Sequence, residues 1–193
     1  MEPIETYLHE AEIAHGHLCA GQVLGVRMAM AGLSRLGIQD ARGADRKRLV
    51  TYVEIDRCAT DAIGVVTGCR LGKRALKFFD WGKMAATFVD LASGRAIRVA
   101  AKESSKEAAR RLHPELQSKN EQQMLAYREM KDEDLFEFQN VKVDVRPEDL
   151  PGFKGERMVC TKCGEGINFH REVVRGEKVL CRACAGESYY SRI

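Results

Sequence analysis

The pattern that most restricts this chain lies near its carboxy end: Cys160-Thr-Lys-Cys163, then seventeen residues, then Cys181-Arg-Ala-Cys184. Each Cys-x-x-Cys can fold as a tight knuckle that aims two thiolates at one ion, and two knuckles make a closed tetrahedral shell of four sulfurs. A Zn²⁺ ion held this way is structural, because no coordination position stays open for a substrate. Gly164 and Gly166 follow the first knuckle, where a turn needs permissive backbone, and Val173-Val174 and Val179-Leu180 flank Gly176 as a hairpin between the knuckles. His170 stays outside a shell that four cysteines complete. A redox dithiol would need a thioredoxin-like βαβ setting, which these pairs lack. The module is too small to fold on a core of its own, so zinc supplies much of its stability. Its net charge of +3 falls to about +1 once four thiolates hold one Zn²⁺, and a structural or interaction role is preferred to DNA binding. Tyr189 and Tyr190 either stack on a partner or close the small core.

Pro147, Pro151, Gly152 and Gly155 mark the linker, which puts the zinc-finger domain at residues 149–193 and a larger domain at residues 1–148. A chain of 193 residues with 45% apolar side chains can bury a core. Seven cysteines, four of them in two Cys-x-x-Cys pairs, fit metal binding in a reducing compartment better than a disulfide framework, so a cytoplasmic location is expected. The acidic amino terminus has no signal-peptide pattern and no apolar run reaches membrane-spanning length. The overall net charge of +3 gives no argument for a nucleic-acid partner.

In the larger domain the periodicities predict an α+β fold, a mixed helix and sheet domain. Residues 3–13 read as a short amphipathic helix and residues 20–36 as a buried one that Gly37 stops. Gly21, Gly25 and Ala29 lie four apart on the second helix, a stripe on which another backbone can pack closely, within the chain or across a dimer. Residues 49–55 read as a strand, with Asp56 as the cap of a helix from Cys58 or Ala59 to Thr67. Strands are expected at 77–81, 84–91 and 95–100, the last two a hairpin around Ala92-Ser-Gly94, and a final strand at 135–145. Ser104-Ser-Lys-Glu107 matches a capping box, and Pro114 suits the start of one or two exposed helices before residue 131.

Two segments carry possible chemistry. In His15-Gly-His-Leu-Cys19, three metal-capable side chains stand at alternate positions just before the second helix. Cys58 falls at a helix start, where the partial positive charge favours thiolate. Both cysteines are equally readable as small core residues. Thr67-Gly-Cys-Arg-Leu-Gly-Lys73 is one residue short of a phosphate loop and has Arg74 where Ser or Thr would hold magnesium, so it is no NTPase motif. Lys73 reads either as a cation lining a site or as a surface lysine, and Cys69 as structural.

Taken together, His15-Gly-His-Leu-Cys19-Ala-Gly21, Glu54-Ile-Asp-Arg-Cys58-Ala-Thr-Asp61-Ala-Ile63, and Thr67-Gly-Cys-Arg-Leu-Gly-Lys73 with Asp80-Trp-Gly-Lys83 resemble the FmdE-like family of formylmethanofuran dehydrogenase proteins over roughly residues 5–145. The carboxy-terminal cysteines resemble the fingers appended to some members, and also those of certain RNA-polymerase-binding regulators. Many members carry proline where this chain has Ala20 and glutamine where it has Ile63. The resemblance implies an often dimeric α+β domain with a second metal ion at His15, His17, Cys19 and Cys58, and with Asp61, Thr67 and Lys73 around it. It implies an accessory role in molybdenum- or tungsten-enzyme metabolism, a homodimer, and a molybdenum or tungsten enzyme or other protein as partner. The alternative is a zinc-dependent or thiol-based enzyme at the same residues, with Asp61 or Glu54 as base and Lys73 as an anion clamp. A third reading is a regulator that docks through the finger.

Overall fold

The computed structural model describes residues 1–191 and 193. The chain divides into two compact units, Met1–Asp144 and Val145–Ile193.

The first unit begins with α1, Ile4–His15, which ends where Gly16 turns left-handed at φ 94°. Helix α2, Ala20–Leu36, follows and ends at Gly37, φ 73°, whose N–H is taken up by the carbonyls of Leu33 and Ser34. Val23, Val26, Met28, Ala29 and Leu33 are all fully buried, so α2 is the central helix its all-round apolar sequence calls for. The small-residue stripe faces α3, Cys58–Thr67, of the same chain. A Cβ at Gly25 would meet the Ala59 carbonyl oxygen at 2.5 Å, so only glycine lets the two helices approach this closely.

One sheet of five strands completes the unit: β1 Leu49–Val53, β2 Leu76–Phe78, β3 Ala85–Asp90, β4 Ala96–Ala101 and β5 Phe136–Val141, in the order β2-β1-β3-β4-β5. All neighbours are antiparallel except β1 and β2, which run parallel and are joined through α3. Helix α2 packs on β3 and β4, where the Phe88 ring abuts Gly32. Leu49, Val53, Ala86, Phe88, Ile97, Val99 and Phe136 belong to the core these elements enclose. Helices α4, Ser104–Leu112, and α5, Lys119–Glu129, pack together, and the short α6, Asp132–Leu135, leads into β5. Arg27 of α2 donates to the carbonyls of Tyr127, Arg128 and Met130, a cation placed on the exposed carbonyl end of α5.

Several local expectations give way to tertiary or neighbouring partners. The N-cap of α3 is Arg57, not Asp56, and no side chain caps it; Thr60 instead ties its hydroxyl to the Ile55 carbonyl at 2.5 Å. Ser104 is the first residue of α4 rather than its cap, so the capping box does not form, and Ser105 donates back to the Lys102 carbonyl. Pro114 lies in a turn; α5 starts behind Ser118, whose hydroxyl accepts from the Glu121 N–H. The α5 face is not all solvated, since Gln122, Ala126 and Tyr127 are buried.

The second unit holds two small antiparallel hairpins, β6 Met158–Val159 with β7 Gly166–Ile167, and β8 Val173–Arg175 with β9 Lys178–Leu180. Gly164 and Gly176 take the left-handed angles their turns demand, φ 77° and 58°. Cys160, Ile167, Leu180 and Ala185 make up its buried core. No helix among the described residues is long and apolar enough to cross a membrane.

Candidate metal centres

The two knuckles bring Cys160, Cys163, Cys181 and Cys184 together, with their sulfurs all within 4.8 Å of one another. Among the described residues this is the one group of three or more such ligands drawn so close. Backbone N–H groups of Cys181, Cys163 and Lys162 point at the Cys160 sulfur and hold that thiol down at about 6. The hydrogen bond with Cys181, together with burial, pushes Cys184 up to about 12. Four sulfurs at this spacing cannot all be anionic unless a cation sits among them. The donor set is that of a closed zinc site, and the unit is a four-cysteine zinc finger. His170 lies outside the cluster, half-exposed, with its ring near Phe153 and Glu172.

The second set of residues meets where α1, α2 and α3 converge. Gly16 turns the chain out of α1, and Cys19 then stands as the extended N-cap residue of α2, φ −142°. Cys58 is the first residue of α3. A Cβ at Gly21 would lie 3.4 Å from the Cys58 Cβ and 3.7 Å from the Cys19 Sγ, so the glycine near the start of α2 leaves the space in which the two thiols meet. They hydrogen-bond to each other. The helix start does not make Cys58 a thiolate: burial and then the Cys19 sulfur push its thiol up, outweighing the backbone N–H and Arg57, which act the other way.

His15, at the last turn of α1, lies 2.8 Å through Nδ1 from Asp61 Oδ2, and this carboxylate orients the ring and leaves Nε2 as the nitrogen for a ligand. His17 is exposed, its ring centroid 4.9 Å from that of His15. Cys19, Cys58, His15 and Asp61 are thus neighbours in pairs, but among the described residues they do not form a closed group of three ligands as the finger cysteines do.

The other expected residues separate. Thr67 is buried, donates to the Ile63 carbonyl at 2.6 Å and accepts from the Cys69 N–H, which makes it a helix-end fastening rather than a ligand contact. Lys73 is exposed on a single helical turn, Leu71–Lys73. Cys69 is buried beside Thr51, and burial pushes its thiol up. Glu54 is no base: its two oxygens take a bidentate pair from Arg98 at 2.6 and 2.7 Å.

Beside Cys58 opens a cleft of about 400 Å³. Its polar edge is His15, Asp56, Arg57, Thr60 and Asp61, and its apolar wall is Val53, Leu71, Leu76 and Phe78. None of that wall stands out in the sequence. The signal that could have found it is topological: in a parallel β-α-β unit, ligands bind in the crevice beyond the carboxyl ends of the strands, and Val53 and Phe78 end β1 and β2.

Comparison with known proteins agrees with this architecture. The model of the family described as FmdE, Molybdenum formylmethanofuran dehydrogenase operon, matches residues 14–137, and that of the prokaryotic dksA/traR C4-type zinc finger matches residues 154–190. A relative from Archaeoglobus fulgidus, named Probable S-adenosyl-L-methionine-binding protein, is 34% identical over 209 residues. The match takes in 95% of this chain but 53% of that protein, so the chain spans about half the length of this curated relative. The crystal structure of an FmdE-like protein of tungsten formylmethanofuran dehydrogenase from Syntrophus aciditrophicus superposes with a TM-score of 0.64, covering 97% of this chain and 95% of that one. At 24% identity that likeness is one of fold. Because the family model covers well over half of its residues, the chain belongs to the FmdE family, and it carries a dksA/traR-type zinc finger behind its FmdE domain.

Proposed function

We propose that the FmdE domain holds a second metal ion, bound by Cys19 and Cys58 with His15 and His17, and that the protein serves molybdenum- or tungsten-enzyme metabolism as an accessory. The observation that carries the reading is the meeting of Cys19 and Cys58 at two helix starts, beside a histidine whose ring a carboxylate orients. Two thiols and an imidazole are donors for zinc or another soft to borderline ion. Three protein ligands would leave a position open toward the cleft, whereas the finger's shell is complete. Such a site can hold a small ligand or pass an ion to a partner enzyme. The family's description ties it to a molybdenum enzyme operon, and this supports the accessory role. A homodimer and a cytoplasmic setting belong to the same reading.

The test is metal content per chain for the wild type and for Cys58→Ser. Two ions falling to one, with finger zinc retained, is the expected result; one ion in both proteins would remove the second site.

A second reading has its own support. The cleft has the volume of a small-molecule site, an apolar wall and two carboxylates at its edge, Asp56 and Asp61. These suit a cationic ligand with an apolar body, and the A. fulgidus relative is named for S-adenosyl-L-methionine. Calorimetric titration with that compound, on the wild type and on Asp61→Asn, should give saturable binding that the substitution weakens; no heat of binding would dismiss this reading and leave the metal site standing.

A further inference from the structure

The stretch from Arg70 to Lys83 is unlike the rest of the chain. It holds five Lys/Arg and one acid, Asp80, a net +4, while the whole chain carries only +3. The basic character is therefore confined here, and the remaining residues together are slightly acidic. The same stretch contains β2, an edge strand, and presents exposed aromatic rings: Phe79 is 49% exposed and Trp81 60%.

These rings form a row. Tyr52 of β1 stacks on Phe79 with centroids 6.0 Å apart and an interplanar angle of 27°, and Phe79 lies 6.0 Å from Trp81. Lys83 holds its Nζ 5.7 Å from the Trp81 ring. Lys77 sits opposite Tyr52 in the sheet register and two residues before Phe79, on the same side of the strand. Arg70 and Lys73 are exposed at the turn that leads into β2. Glu54, the nearest buried carboxylate in the sequence, is neutralised by Arg98 and does not offset these cations.

A monomeric domain rarely leaves a tryptophan and a phenylalanine side by side in water without a use. An apolar partner would not call for the cations, and a simple polyanion would not call for the rings. We infer that the Tyr52–Phe79–Trp81 row with Lys77 and Lys83 is a binding platform for single-stranded nucleic acid, with bases stacking on the rings and phosphates meeting the lysines. Stacking of this kind tolerates any base, so binding without strong sequence preference follows.

Trp81 is the chain's one tryptophan, so its fluorescence reads this surface directly. The full zinc-loaded protein is titrated with an oligothymidylate of about 12 nucleotides, a length within single-strand site sizes, and separately with heparin, a polyanion without bases. The expected result is saturable quenching by the oligonucleotide, little by heparin, and weakening as salt rises. Phe79→Ala should lower the affinity about tenfold, the loss of one stacked base, and Lys83→Gln should lower the salt slope by about one. Both side chains are exposed, and an unchanged melting temperature shows that each variant is folded. No quenching, equal quenching by heparin, or unchanged affinity in folded Phe79→Ala would each overturn the platform.

Discussion

Gly25 of α2 lies against the backbone of Ala59 in α3, with the space for a Cβ filled by the Ala59 carbonyl oxygen at 2.5 Å and its Cα at 2.8 Å. The contact lies one turn from the point where Cys19 and Cys58 meet, so the spacing of the two helices also fixes the spacing of the two thiols. Gly25→Ala must push α3 outward. Overpacking of this kind costs about 1–3 kcal/mol. The expected result is a lower urea midpoint with an unchanged slope, and loss of any second metal in the same variant.

The core ion pair of Glu54 and Arg98 gives the second prediction. Glu54 is buried, and Arg98 supplies both its hydrogen bonds. Arg98→Leu leaves a buried carboxylate unpaired, at a cost of about 3–5 kcal/mol, whereas the double variant Arg98→Leu with Glu54→Leu should recover much of that loss. Denaturant titration of the four proteins of the cycle checks it.

Acid stability turns on Asp90. The Arg48 guanidinium takes both its oxygens at 2.9 and 2.7 Å, and with Ser93 Oγ and the Ala92 N–H it holds the carboxyl well below the usual carboxylate range. The folded value lies below the unfolded one, about 3.9, so the contribution is complete above that pH and is lost as pH falls further toward the folded value. Asp90→Asn should lower stability by about 2 kcal/mol at neutral pH and flatten the decline below about pH 4. Melting temperatures from neutral pH to pH 2 read both effects.

Removing zinc separates the two units. The finger's core is only Cys160, Ile167, Leu180 and Ala185, too few apolar residues to hold it folded. A strong chelator, or Cys184→Ser, should abolish amide protection across residues 158–187 and leave protection in β1, β3 and β4 intact. Hydrogen exchange read by peptide mass checks this; protected finger amides without zinc would show that the metal is dispensable for its fold.

What could be read from the sequence was what local pattern determines. The bounds of α2, its stop at Gly37 and the β3–β4 hairpin follow from periodicity and one turn residue, and they stand as expected. The finger cysteines converge because two knuckles leave the chain little alternative. What local pattern does not determine was misread. Glu54 looked like a base until Arg98, 44 residues later, came to face it across the sheet. Cys58 looked like an activated thiol because the helix start is visible in sequence, while the burial and the Cys19 neighbour that oppose it are not. Thr67 looked like part of a site, yet its hydroxyl is used by its own helix and by Cys69. The cleft wall was invisible because β1 and β2 are parallel only once α3 has crossed between them.

That crossing has a consequence for how the protein can change over time. Of the residues that line the cleft, all but His15 come from one uninterrupted run between Val53 and Phe78. The other strands of the sheet and most of α2 contribute nothing to that surface. A duplication or recombination event that replaced this single cassette would hand the same scaffold a different ligand. An engineer could do the same with one contiguous insert, provided the thiol at Cys58 and the glycine contacts beneath it were kept.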